Sequence, residues 1–308
     1  MINFRYHIVS LMAVFLALSV GIVLGVTLRG PVDEGLVQQA AQDRRQVQDL
    51  RTELDRRDAL DDYREAWAAR TGTQVASEML AQCSVAIVAM PDAPNGVVDA
   101  LSTAVTQAGG TLTHTVKINA DVFDPSKADA VNAALEPFAS ELQLTDDMSP
   151  ARRFGLAVGR ANLAQQRTDL DPTAVDISEA LTDAGLVTAD GRSEETAELA
   201  IVVTAQATDP PATAELLESH VELDVALKSR AGGVVIAGPN SEDIQGTDVL
   251  SVRDVSDSAD LLSTVDVADL SSGVATTIMA GKEQLLGRHG HYGALTKADA
   301  PLPQLPVR

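Results

Sequence analysis

Cysteine and aromatic residues are scarce in this chain of 308 residues, which contains one cysteine, one tryptophan, three tyrosines and five phenylalanines. With a single cysteine the chain cannot form an internal disulfide, so a globular part must be held together by its own apolar core. Basic residues are also in the minority, because 23 lysines and arginines face 44 aspartates and glutamates, for a formal net charge of −21. Such a charge repels nucleic acid and anionic lipid headgroups, so we expect no nucleic-acid partner.

Familiar catalytic motifs are absent as well. The sequence has no glycine-rich nucleotide loop, no GxSxG elbow, no HExxH pair and no CxxC pair. We therefore expect no enzyme, and we interpret the loops that follow the apolar strands as ordinary turns. A divergent enzyme that used a crevice at the strand ends stays open as an alternative.

Long apolar runs are rare too, and the one present covers residues 8–28, IVSLMAVFLALSVGIVLGVTL. As a helix it would be about 31 Å long, which matches a bilayer core of about 30 Å. Arg5 and Arg29 bracket this uncharged run. We predict one transmembrane helix, because a cleaved signal peptide would have a shorter apolar core and an A-x-A-like cleavage site.

The charges on either side of this helix indicate its orientation. Arg5 lies on the short side, whereas every acidic residue follows the apolar run. The asymmetry of lysine and arginine favours an amino terminus inside the cell. We predict a single-pass protein of the cell membrane, with a cytoplasmic stub at residues 1–7 and the rest outside, in the periplasmic space.

Small residues recur at every fourth position of the same helix, namely Ala13, Ala17, Gly21 and Gly25. A stripe of this kind lets two membrane helices approach closely. We predict that it pairs two copies of the chain. Chance is the alternative, since small residues are common in such helices.

A second long helix is predicted at residues 33–80, after a break at Gly30-Pro31. Apolar side chains recur there at steps of three and four, and after Leu54 they come early, as in a stammer. We predict a parallel coiled-coil stalk in a homodimer; the alternative is a lone amphipathic helix that folds back on the globular domain. The predicted seam consists of Leu36, Ala40, Val47, Leu50, Leu54, Leu60, Tyr63 and Trp67.

From residue 82 the pattern alternates between strands and helices. Apolar or alternating runs predict strands at residues 84–90, 111–118, 199–205, 234–237 and 249–252. Amphipathic stretches predict helices at residues 97–108, 124–142, 151–166, 177–186, 213–230, 256–264 and 272–286. We expect Asn95 and Ser149 to cap helices and Gly155 and Gly159 to mark close packing. The predicted fold is α/β, a mostly parallel Rossmann-like sheet with helices on both faces, over residues 82–286, with a flexible tail at residues 287–308.

Soft metal ligands are few. His289 and His291 lie two residues apart between glycines, and Cys83 and Met90 flank the first predicted strand. Nitrogen and sulfur donors favour copper or zinc, so these four residues are weak candidate ligands. The alternative is that the histidines belong to a solvated loop and that Cys83 and Met90 belong to the core. We expect no cofactor, with copper as the alternative.

The opening residues INFRYHIVSLMAVFLALSVGIVLG resemble the amino terminus of the mycobacterial copper transport protein B family of actinobacteria. The resemblance implies a coiled coil and an α/β ectodomain after the membrane helix. The family name implies copper efflux or a copper-linked outer-membrane pore. Members are also linked to daughter-cell separation, where they act with a cytoplasmic partner and promote activation of a peptidoglycan endopeptidase outside the cell.

These expectations lead to one main hypothesis about function. A single helix whose polar side chains are two serines and one threonine makes a poor copper path, and the ectodomain lacks the strand pattern of a membrane barrel. We therefore expect a non-enzymatic dimer that regulates an extracellular cell-wall hydrolase, through a groove where the two stalks and heads meet. The stub residues expected to dock a cytoplasmic partner are Asn3, Phe4, Arg5, Tyr6 and His7. Copper homeostasis is the alternative.

Overall fold

The computed structural model describes residues 4–27, 30–191, 193–241 and 245–304, with side chains described from residue 7 to 27 and from residue 38 onward. The chain divides into two compact units, Met1–Arg64 and Glu65–Arg308. This boundary falls inside the predicted stalk rather than at its end near residue 80. The last turns of the long helix therefore belong to the α/β unit.

The first unit consists of helix α1, Phe4–Thr27, and most of helix α2, Gly30–Ala76. Within the described residues, one segment, His7–Thr27, is long and apolar enough to cross a membrane, judged by length and composition alone. Pro31 lies in the first turn of α2, where its missing N–H costs little. The structure therefore has the predicted apolar helix and a long helix after it, but α2 includes the predicted break at Gly30-Pro31 and ends at Ala76 rather than near residue 80.

The residues predicted to pair two chains are exposed in the single chain. All four residues of the stripe on α1 are exposed, and a side chain at Gly21 or Gly25 would meet nothing within 4 Å. On α2 the seam is exposed from Ala40 to Trp67, with Leu50 57 % accessible. The side chain of Leu36 lies outside the described residues. Pairing through these surfaces stays a prediction.

The described residues of the second unit form a sheet of seven strands in the order β3-β2-β1-β4-β5-β6-β7. All neighbours are parallel except β2 and β3, and the order reverses between β1 and β4. This confirms the predicted Rossmann-like α/β class. The strands are β1 Ser84–Ala89, β2 Thr111–Ile118, β3 Val187–Asp190, β4 Leu199–Val203, β5 Gly233–Ala237, β6 Ser263–Val265 and β7 His291–Tyr292.

Helices cover both faces of this sheet. They are α3 Asn95–Gln107, α4 Ala128–Leu135, α5 Ala139–Leu142, α6 Pro150–Asn162, α7 Pro172–Asp183, α8 Ala214–Lys228, α9 Asp248–Asp254, α10 Ser256–Ala259 and α11 Ser271–Leu285. Short 3₁₀ turns lie at Ala120–Phe123, Pro125–Lys127 and Glu136–Phe138. One apolar cluster, the α6–α8 face, includes Phe154 and Leu227; the other, the α3–α11 face, includes Leu101 and Ile278. Successive residues of the central strands alternate between the two clusters, so both faces of the sheet are buried.

Local capping side chains mark the starts of helices α6, α7, α8 and α9. The hydroxyl of Ser149 accepts a hydrogen bond from the backbone N–H of Arg152 at 3.1 Å, as predicted for a cap. The predicted cap at Asn95 is wrong, because Pro94 occupies that position without a side-chain bond. The prediction of close packing at Gly155 is confirmed, since an added Cβ would lie 2.8 Å from the carbonyl oxygen of Leu223 on α8.

Two predicted elements near residue 250 are wrong. Residues 249–252 lie in α9, whose amide of Leu250 donates to the hydroxyl of Thr247 at 3.3 Å. The predicted helix at residues 256–264 ends at Ala259, and Ser263–Val265 forms β6. A run of four residues with three apolar side chains, Val249, Leu250 and Val252, suits a buried turn of helix as well as a strand, so the pattern alone could not decide.

The prediction of a loose tail after Gly287 is wrong for the described residues around β7. The backbone amide of His291 donates to the carboxylate of Asp299 at 3.0 Å, and the amide of Asp299 donates back to the carbonyl oxygen of His291 at 2.7 Å. Tyr292 pairs with β6 on one side and bridges to Ala300 on the other. This segment therefore forms the edge of the sheet.

Candidate functional site

The four candidate copper ligands lie apart in the folded unit. Cys83 precedes β1 and packs on the α3–α11 face, whereas Met90 follows β1 and is buried on the α6–α8 face. At about 3.3 Å per residue the strand between them spans about 20 Å. His291 lies in β7, four strands from β1, and His289 is exposed just before it. Among the described residues no group of three or more His, Cys, Asp or Glu side chains could hold a metal ion.

His291 is held by the buried network that anchors the carboxyl-terminal segment. Its side chain is 9 % exposed, and its Nδ1 lies 3.0 Å from the hydroxyl of Thr264. Burial, with a contribution from the nearby Arg253 guanidinium, lowers the pKa of His291. The imidazole is thus part of the sheet edge rather than of a solvated loop.

Arg253 on α9 is the centre of this network. Its guanidinium donates to Thr264 Oγ1 at 2.8 Å, to Asp266 Oδ2 at 2.8 Å, and to the carbonyl oxygens of Tyr292 and Thr296 at 2.9 and 3.0 Å. The other carboxylate oxygen of Asp266 accepts from the backbone amide of Ala294 at 2.8 Å. A fully buried ion pair therefore fixes residues 292–296 against β6.

The loops at the carboxyl ends of the strands are hydrogen-bonded to neighbouring strands and loops. The amide of Met90 donates to the carbonyl oxygen of Val203 at 2.9 Å, and the amide of Gly238 donates to that of Val265 at 2.8 Å. The amide of Asn240 donates to the carboxylate of Asp269 at 2.6 Å. These bonds are those of ordinary strand-ending turns. That the protein is not an enzyme stays a prediction.

A groove of about 400 Å³ lies between the end of α2, α3 and α11. Its walls are formed mostly by small side chains. The lining residues are Ala69, Gly72, Thr73, Ala76, Asp99, Ala100, Thr103, Ala104, Gln107, Ala108, Asp269, Ser271, Val274, Ala275 and Ile278. Small residues on facing helices leave room for the backbone of a further helix. We take this surface, the α2–α3–α11 groove, as the candidate functional site.

Two contacts hold the α2 wall of the groove in place. The carboxylate of Glu65 accepts a hydrogen bond at 2.8 Å from the backbone amide of Ser271, the first residue of α11. This supplies a cap to a helix whose own N-cap residue, Leu270, makes no side-chain bond. Gly72 approaches α11 so closely that an added Cβ would lie 2.9 Å from the Cβ of Ala275. The end of α2 is therefore built into the α/β unit.

Sequence reasoning missed the groove because α11, which begins at Ser271, lies far along the chain from α2 and α3, which end at Ala76 and Gln107. A local signal was present on α2, where Ala69, Gly72, Thr73 and Ala76 recur at steps of three and four. The predicted docking stub is only partly described. His7 is exposed at the start of α1, whereas Asn3 and the side chains of Phe4, Arg5 and Tyr6 lie outside the described residues.

The fold and the site define a membrane-associated α/β protein with a helix-lined groove. The family model described as "Copper transport outer membrane protein, MctB" matches residues 1–303, and the chain belongs to this family. It is similar to proteins named "Copper transporter MctB" from Mycobacterium bovis and Mycobacterium tuberculosis, each 33 % identical over 316 residues, which cover 95 % of this chain and 96 % of each relative. A protein of the same name from Mycobacterium leprae is 29 % identical over 313 residues, with the same coverage of 95 % and 96 %. The predicted family is thus confirmed.

Proposed function

We propose that this protein is a copper-linked component of the cell envelope, with its amino terminus in the cytoplasm and its α/β unit outside. The observation that supports this most is the match of the copper transport family over residues 1–303. Arg5 on the short side of α1, against acidic residues only on the long side, favours this orientation.

The copper role we propose is an indirect one. Two polar side chains of α1 bond to their own helix: the hydroxyl of Ser19 donates to the carbonyl oxygen of Phe15 at 2.8 Å, and that of Thr27 to the carbonyl oxygen of Val23 at 2.8 Å. One such helix provides no polar path for an ion, so copper would need several copies or another protein to cross. The buried positions of Met90 and His291 also argue against a shared ligand site in one chain.

Growth of a deletion strain at rising copper concentration tests this role. We expect growth to fail earlier than in the parent strain and to be rescued by the full chain. Because the proposed role is indirect, the variant His289→Ala, which changes an exposed histidine, should rescue growth in copper as well as the wild type does. A deletion strain with unchanged copper tolerance would refute the copper role, and loss of rescue by His289→Ala would instead make that residue a direct ligand.

A second candidate function rests on the α2–α3–α11 groove. We propose that the chain forms a non-enzymatic homodimer through α1 and the stalk, docks a cytoplasmic partner at residues 3–7, and activates a peptidoglycan hydrolase outside during cell separation. The groove supports this proposal because it is open to solvent and lined mostly by small side chains, as suits a partner helix. Exposed seam residues such as Val47 and Leu54 supply the apolar surface that a dimer needs.

Septum microscopy in copper-poor medium separates the two candidates. If the protein regulates a hydrolase, the deletion strain should form chains of unseparated cells, rescued by the full chain but not by Leu50→Pro, which breaks the stalk. Normal separation, with a defect only when copper is added, would refute the second candidate.

The groove itself has a matched pair of variants on α3. Thr103 and Thr106 are both exposed, and each hydroxyl donates to the carbonyl oxygen four residues earlier, at 2.9 and 3.3 Å. Thr103 lines the groove and Thr106 does not. We expect Thr103→Arg to abolish rescue of cell separation and Thr106→Arg to keep it. Equal rescue by both would show that the groove is not used.

A further inference from the structure

The carboxyl group of Asp224, on α8, is buried in the apolar interior of the α6–α8 face. Its side chain is 1 % exposed, and neither carboxylate oxygen has a hydrogen-bond partner among the described residues. Buried polar groups in folded proteins are almost always paired, and an unpaired buried charge is strongly unfavourable. An ionised Asp224 is therefore strongly disfavoured in this packing, so the carboxyl group should hold a proton there.

A second carboxylate lies across the contact between α8 and α9. Asp248, in the first turn of α9, is 5 % exposed, and its Oδ1 lies 2.6 Å from Nδ1 of His220. His220 precedes Asp224 by one helical turn, so both side chains lie on the same side of α8. The ring of Phe123 covers His220 with the ring centres 4.3 Å apart, and Nε2 of His220 is buried without a partner in the described residues.

Among the described residues, the other elements packed on α8 bring no counter-charge to Asp224. On α6, Arg153 is bound to Asn132 and to the carbonyl oxygen of Thr145, Arg160 is paired with Glu141 and Asp171, and Arg152 is exposed. Strand β5 has no charged residue, and Asp121 of the 3₁₀ turn next to Phe123 is exposed. On α9, Arg253 is paired with Asp266. One turn further along α8, Lys228 is bound to Gly232 and Gln284.

We propose that Asp224 is a proton-operated switch at the contact of α8 and α9, which holds a proton while the two helices are packed and releases it when they separate. Burial, and secondly the negative charge of Asp248, raise the pKa of Asp224 well above its ordinary value. Ionisation would place two like charges in one apolar contact, which favours separation of the helices.

The sign of the pH dependence follows from this assignment. An exposed aspartate loses its proton above a pKa of about 3.9, so opening of the contact releases one proton at any pH between that value and the raised one. The packed state is therefore most stable at low pH and loses stability as the pH rises. One proton released corresponds to a tenfold rise in the opening constant per pH unit.

Hydrogen exchange of α8 and α9 peptides in the full chain, in detergent, between pH 5 and 8 tests the proposal. After correction for the intrinsic exchange rate, the opening constant of the wild type divided by that of Asp224→Asn should rise up to tenfold per pH unit. Glu218→Gln, at an exposed position of the same helix, is the control and should give a constant ratio to the wild type. A constant ratio for Asp224→Asn across the range would overturn the proposal.

A measurement on the wild type keeps the proposal testable if Asp224→Asn does not fold. Infrared spectroscopy of the full chain at pH 7 should show the C=O stretch of one protonated carboxylic acid, because exposed carboxyl groups are ionised at that pH. The band should decline as the pH is raised, with loss of protection in α8 and α9. Absence of the band at pH 7 would show that Asp224 is ionised, which contradicts the switch.

Discussion

Replacement of Arg253 by methionine is the sharpest test of how the carboxyl-terminal segment is held. Methionine keeps an apolar side chain but removes the guanidinium. In the wild type the side chain of Arg253 is 0 % exposed and that of Asp266 is 2 % exposed. The change leaves a buried carboxylate that retains only backbone donors, such as the amide of Ala294. Breaking a buried ion pair from one side costs about 3–5 kcal/mol, because the remaining charge is left in the interior.

The assay is urea unfolding of the full chain in detergent, followed by far-ultraviolet circular dichroism. Lys297→Met is the matched control, since Lys297 pairs with Asp254 at the surface, where both side chains are about half exposed. An exposed pair contributes about 0–1 kcal/mol, so the control should unfold almost as the wild type does. In an Asp266→Asn background, where no charge is stranded, Arg253→Met should cost less than in the wild type. An equal cost for Arg253→Met and Lys297→Met would refute the reasoning.

The remaining predictions concern packing, capping and metal. Gly155→Leu should lower the free energy of unfolding by at least about 1–3 kcal/mol in urea titrations, because its Cβ would meet the backbone of α8 at 2.8 Å; an unchanged midpoint would mean that the helices can move apart. Thr213→Ala should lower the free energy of unfolding by about 1 kcal/mol, since the Thr213 hydroxyl caps α8 by accepting a hydrogen bond from the amide of Leu216 at 3.3 Å. Thr213→Ser keeps a capping hydroxyl and should therefore unfold like the wild type in the same titration. Copper chelation should leave the thermal unfolding midpoint of the purified chain unchanged if copper is not a structural ligand, and a lowered midpoint would contradict the indirect role.

Local sequence determined the elements whose signals are contained in one short stretch. Residues 8–28 predict a membrane helix from length and lack of charge, and the structure has a helix of that kind at Phe4–Thr27. Strand β2 was predicted with the bounds Thr111–Ile118 that it has, because its side chains alternate between core and solvent. The capping hydroxyl of Ser149 likewise acts on the amide three residues later. In each case the physical cause lies within one element.

Tertiary structure decided what depends on contacts between distant residues. Thr247 offers a local cap for the run at residues 249–252, but long-range contacts such as that of Arg253 with Asp266 favoured helix α9 over a strand there. His291 became part of the sheet because the backbone groups of β6 were available to pair with it. No pattern in the sequence indicates which partners will be available, since that depends on the strand order.

The candidate site belongs to the second kind. Its groove needs α2, α3 and α11 to meet, and Glu65 can cap α11 only after the chain has folded. The same holds for Asp224. In the sequence it is one of the 44 acidic residues of the chain, and it lies in a predicted amphipathic helix. Its unusual chemistry arises because α8 turns that residue inward, beside Asp248, with no cation paired to it among the described residues. The sequence by itself therefore determined the long apolar helix, the fold class and the family, whereas burial and long-range contacts decided which side chains can act.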